Sequence, residues 1–100
     1  MQSVVKNFFE NGRISMYISK IKEIIIAWDP IDLICSGAPD NEYDYEISQI
    51  ANSINDKITI NTLAKNIYNV FSDSFGKDTF NNSFNDCVKI AIKCLNVLDE

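Results

Sequence analysis

Histidine is absent from the 100-residue sequence, which removes the commonest general base and the commonest metal ligand near neutral pH. Cysteine–histidine and serine–histidine nucleophile systems are excluded with it. The three cysteines, Cys35, Cys87 and Cys94, make an odd count without a C-x-x-C pair, which argues against a zinc cage. On one helix, Cys87 and Cys94 would stand about 10 Å apart at 1.5 Å per residue, too far for a disulfide. Buried thiols acting as small apolar side chains are the expectation. Long hydrophobic runs are also missing: the longest, IIIAW at 24–28, is far short of the roughly 20 residues a membrane span requires. The opening MQSVVKNFFENGR scatters charge and amide where a secretory signal needs a continuous apolar stretch, so a cytoplasmic location is expected. Glycine (three) and proline (two) are scarce, and Pro30, Gly37 and Pro39 all fall in one window, WDPIDLICSGAPDNEYDYE at 28–46.

What the sequence does contain is an ordinary globular composition, 46% hydrophobic and 23% charged, in a length suited to a single core. Residues 1–100 are therefore read as a single helical domain. Val4, Val5, Phe8 and Phe9 before Asn11-Gly12 suggest a short helix over 1–12 closed by a glycine. Ile14, Tyr17, Ile18, Ile21, Ile25 and Trp28 follow three-and-four spacing, which predicts a helix over 13–28. Pro30 turns Trp28 and Asp29 out of that helix. Residues 29–39 then read as a loop with a short helical turn, N-capped by Asp29, carrying Asp32 near its positive end and stopped at Gly37.

Asp40 is the next candidate cap, opening a helix over 40–55 with Tyr43, Ile47, Ile50, Ala51 and Ile54 as its apolar face. Thr59 or Asn61 is placed to cap a helix over 60–74 with Ile60, Leu63, Ala64, Ile67, Tyr68 and Phe71 inward. The last helix, 84–98, runs Phe84, Val88, Ala91, Leu95 and Leu98 in heptad spacing with Cys87 and Cys94 beside it. The predicted fold is all-α, a compact bundle of four to five helices with a structured WDP…GAP…EYD loop.

Charge singles out the same window. Residues 29–46 hold six of the 14 acidic side chains and none of the nine basic ones, so the window carries −6 and the rest of the chain +1. Capping explains part of this, because Asp29, Asp32, Asp40 and Glu42 all stand at plausible helix starts, each worth about 0.3–1 kcal/mol there. A calcium loop begun at Asp40 fails, because its sixth and twelfth positions hold Tyr45 and Ala51 instead of glycine and a bidentate glutamate. Paired-carboxylate catalysis needs a desolvated pocket that separates two pKa values, and a chain this small has little room for one beside its core. Neither an enzyme nor a metal or cofactor site is therefore expected. Nine dispersed basic residues and a net charge of −5 also argue against nucleic acid. A protein partner is the expectation, bound through Asp32, Asp40, Glu42, Asp44, Tyr45 and Glu46: carboxylates to steer a basic surface and an aromatic ring to anchor it.

The order of landmarks, WDPIDLICSGAPDNEYDYEI, then FSDSFG, then CVKIAIKCL, is similar to the YugE-like family of small bacterial helical proteins of unassigned function. Their shared signature resembles W-D-P-I-G-L-x-x-x-G-A-P-x-D-E-Y-D. Trp28, Asp29, Pro30, Ile31, Leu33, Gly37, Ala38, Pro39, Glu42, Tyr43 and Asp44 match it, while Asp32 and Asn41 stand where the family usually has Gly and Asp. The resemblance covers about residues 14–98 and implies an all-helical bundle without implying a reaction or cofactor. Small acidic bacterial domains without an enzymatic signature are often immunity proteins that block a cognate toxin, frequently a basic one. That class argument makes a basic toxin domain the leading expected partner. The alternative expectation is a housekeeping interaction or regulatory module unrelated to toxins.

Overall fold

The computed structural model describes residues 14–98, with side chains from Tyr17 to Val97; the helix expected over 1–12 lies outside the described residues. Four helices follow one another, α1 (Ile14–Trp28), α2 (Asp44–Ser53), α3 (Ile60–Phe75) and α4 (Phe84–Leu98), and no strand occurs among the described residues. The fold is an all-α bundle, closed in a ring: α1 packs on α2, α2 on α3, α3 on α4, and α4 back on α1.

Each helix is held by the stripe that its spacing predicts, with two exceptions. Tyr17, Ile21 and Ile25 of α1 are buried, as are Ile47, Ile50 and Ala51 of α2 with Tyr43 and Ile54 at its two ends, and Leu63, Ala64, Ile67 and Phe71 of α3. Ile60 departs, since it stands at the open end of α3 and is exposed. In α4 the buried line is Cys87, Ile90, Ala91 and Cys94, while Phe84 is exposed and Val88 and Leu95 only border the core. Of the heptad's described side chains only Ala91 is buried, and Phe84, Val88 and Leu95 form the rim of the buried face. Small side chains at 87, 91 and 94 on the buried face of α4 let it pack closely into the bundle, where three larger residues would hold it off.

Local chemistry sets the ends. Thr59 caps α3, its Oγ1 accepting from the Thr62 N–H at 3.2 Å, and Gly76 closes it in a left-handed conformation (φ +80°) with its N–H on the Ser72 carbonyl. Ser83 and Asp86 cap α4 reciprocally: the Asp86 N–H donates to Ser83 Oγ at 3.1 Å and the Ser83 N–H to Asp86 Oδ2 at 3.0 Å. Such a capping box satisfies two otherwise orphaned donors. At one end of the bundle Trp28, Tyr43, Phe71, Phe75 and Phe80 form a continuous aromatic cluster with centroid separations of 5.4–6.2 Å. The cluster gathers the end of α1, the start of α2 and the end of α3 beneath the loop 29–43.

Candidate functional site

The loop 29–43 is built around one carboxylate. Asp29 donates its N–H to the Ile25 carbonyl at 2.8 Å, finishing α1, and then turns the chain by adopting a left-handed backbone (φ +48°). Its Oδ1 accepts from the Tyr43 hydroxyl at 2.7 Å and from the Ile34 N–H at 3.1 Å, and its Oδ2 accepts from the Cys35 N–H at 2.9 Å. Tyr43 is fully buried, and its oxygen in turn lies 3.4 Å from the N–H groups of Ile31 and Leu33, the outer limit of a hydrogen bond. From the far side, the Asn82 side-chain amide donates to the Pro30 carbonyl at 2.9 Å. Burial raises the Asp29 carboxyl, but the Tyr43 hydroxyl and the N–H groups of Cys35, Ile34 and Leu33 together outweigh it and hold it below its usual value. Tyr43 is pushed up to about 12, by burial first and then by its bond to Asp29.

Two expectations are corrected here. Asp29 is not the N-cap of a following helical turn, because its carboxylate reaches N–H groups five and six residues ahead, across a series of turns spanning 30–37. Nor does Asp40 open a helix. Residues 40–43 form turns, with the Glu42 N–H on the Pro39 carbonyl and the Asp44 N–H on the Asn41 carbonyl. α2 begins at Asp44, after Tyr43, with no side chain capping it. Tyr43 decides that start: its ring is committed to the core and its hydroxyl to Asp29, which fixes where the chain can turn into the bundle.

The acidic residues around this knot divide into three groups. Asp32, Asp40 and Glu42 are exposed, and Asp32 sits in a left-handed conformation (φ +60°). Asp44 is also exposed and pairs with Lys22 of α1 at 3.0 Å, a surface pair worth at most about 1 kcal/mol. Tyr45, 66% exposed, stands among them. Glu46, named with them as a partner-binding residue, is placed differently: it is only 5% exposed, and its Oε1 has no hydrogen-bond partner. Its place three residues after Tyr43 and four before Ile50, both core residues, turns it inward.

No group of three or more Cys, Asp or Glu side chains among the described residues could hold a metal ion. An open groove of about 470 Å³ runs along the outer face of α1 past Ser19, Lys22, Glu23, Ile26 and Ala27, and none of the loop acids lines it. No helix among the described residues is long and apolar enough to cross a membrane.

The loop that carries this network lies wholly within a family match covering residues 20–100. The chain belongs to the family described as a domain of unknown function, DUF1871. Because the family match takes in all of α2, α3 and α4 and most of α1, the Asp29–Tyr43 knot and the rim of acids are features of the family's own region of the chain. No curated protein and no solved structure matches it.

Proposed function

We propose that this DUF1871 domain is a cytoplasmic, non-enzymatic protein-binding domain of the YugE-like kind. In the specific form we favour, it is an immunity protein that binds and neutralises a cognate bacterial toxin through the surface made by Asp32, Asp40, Glu42, Asp44 and Tyr45. One observation carries this reading. Four exposed carboxylates and a 66%-exposed tyrosine are grouped on a loop and helix start pinned from beneath by Asp29, Tyr43 and Asn82. A surface held in place before binding loses little conformational freedom on association. Carboxylates steer a basic partner and set the salt dependence of its arrival, and an exposed aromatic ring supplies buried area.

Growth protection tests the reading. Expressed with any toxin found encoded beside its own gene, the wild-type chain is expected to protect the cell. The combined variant Asp32→Asn, Asp40→Asn, Glu42→Gln and Asp44→Asn folds but loses protection, and its binding to the toxin loses most of its salt dependence. Protection and salt dependence unchanged by these four substitutions would overturn the acidic surface as the toxin site. A chain that protects against no neighbouring toxin would leave the housekeeping interaction module as the better description.

A further inference from the structure

Glu46 is turned inward by its place on α2, yet its carboxyl oxygen finds no partner there. It is the third residue of α2, 5% exposed, and Oε1 is buried without a hydrogen-bond partner. Native structures leave few buried polar atoms in this state, and each asks for a reason. The positive end of α2 offsets part of the cost, yet an apolar residue here would avoid all of it. Helix register shows which side of α2 the carboxyl serves. Asp44, two residues earlier, is turned to α1 by its pair with Lys22. Two residues of helix rotate by about 200°, so Glu46 lies on the flank turned away from α1. The exposed side chains of Tyr45 and Gln49, one residue before it and three after, border that flank.

We infer that Glu46 is the receptor for an arginine side chain of the protein partner. This rests on the reading of the acidic rim as the partner surface and names the group that the rim admits. A guanidinium is more weakly hydrated than an ammonium, so it enters a desolvated site at lower cost. Its planar fork can bond a carboxylate through two N–H groups, and the neighbouring Tyr45 ring offers a face on which it stacks. The rim acids steer the cation in through solvent. The Glu46 contact, shielded from water, is the part of binding that salt screens least. The free chain thus holds a buried, unpartnered carboxylate oxygen, Oε1, whose partner arrives only in the complex.

Replacing Glu46 therefore has opposite effects on fold and on binding, which a purely structural residue would not show. Labelled hexa-arginine and hexa-lysine peptides are titrated at low and at physiological salt into the full chain, its Glu46→Gln and Glu46→Met variants, and the four-site rim variant. Thermal unfolding of each free protein is followed in parallel. Glu46→Gln is expected to melt about 4 °C higher, a gain typical of about 1 kcal/mol in a domain this size, and Glu46→Met at least as high. Both bind hexa-arginine about tenfold more weakly, as expected for one lost charge-assisted hydrogen bond, with the loss persisting at physiological salt. Hexa-lysine binding changes less. The rim variant instead loses the salt-sensitive part of binding to both peptides. Should both Glu46 variants melt lower than wild type, or bind hexa-arginine as wild type does while the rim variant weakens, the Glu46 site is overturned and the rim reading stands. If the rim variant also binds as wild type, or wild type binds neither peptide, both fall together.

Discussion

Replacing Tyr43 by phenylalanine isolates the contact on which the loop depends. The ring keeps its edge-on packing against Phe71 and Phe75, so the change deletes one oxygen and leaves the core filled. That oxygen donates to Asp29 at 2.7 Å, a short bond to a charged acceptor, and such bonds contribute about 1.5–3 kcal/mol. The two N–H contacts at 3.4 Å add little. Tyr43→Phe should therefore destabilise the chain by about 2 kcal/mol, which in a domain of this length lowers Tm by roughly 8–16 °C. Asp29→Ala removes the same bond together with those from Ile34 and Cys35, at a cost of about 3–4 kcal/mol. Because both substitutions delete the Tyr43–Asp29 bond, the double variant should lose less than the two costs added, with a coupling of about 1.5–2 kcal/mol. Urea unfolding of the four proteins measures this cycle. A coupling below about 0.5 kcal/mol would show that the hydroxyl and carboxylate act independently, and the account of the loop as a structure built on that pair would fail.

Three further outcomes follow from the same geometry. Asp32 holds a left-handed backbone that glycine adopts without strain, so Asp32→Gly should raise stability by about 1 kcal/mol in urea unfolding; a loss of stability would mean that its carboxyl has an internal partner. Asp29 titrates lower in the folded chain than its ordinary value near 4. Its contribution is thus full above about pH 4 and is lost as pH falls through the folded value, and Asp29→Asn should flatten that acid limb of the stability curve. Cys87 and Cys94 are pushed up to about 12, by burial first, whereas Cys35 is exposed. Alkylation of the native chain near pH 8 should therefore modify one thiol, with the other two reacting only in denaturant; modification of all three at equal rates would contradict the burial of Cys87 and Cys94 on the inner face of α4.

Periodicity reveals the bundle because most of its helices are amphipathic in their own right. The isoleucine spacing of α1 and the Leu63-Ala64-Ile67-Phe71 stripe of α3 state which face is buried without help from the rest of the chain. The acidic residues are legible less well, since a carboxylate near a helix start looks the same in sequence whether it caps the helix, ties a loop or sits unpaired. Asp29 and Tyr43 are 14 residues apart and meet only because α1 and α2 bring them together. Asn82 reaches Pro30 across 52 residues, and no local pattern marks either contact. Glu46 is different, because its spacing from Tyr43 and Ile50 places it beside the core face. The presence of charge in an acidic window hides that signal. In α4, the small side chains of Cys87 and Cys94 weigh little in a hydrophobic pattern, although close packing favours them over the bulkier heptad beside them.

The claim that the acidic loop is the working surface is met most directly by amide hydrogen exchange of the chain alone and in the presence of any toxin domain found encoded beside its gene. The account predicts new protection in residues 30–46 upon binding, with the outer faces of α3 and α4 exchanging as before. Protection confined to α3 or α4, with exchange through 30–46 unchanged, would contradict it.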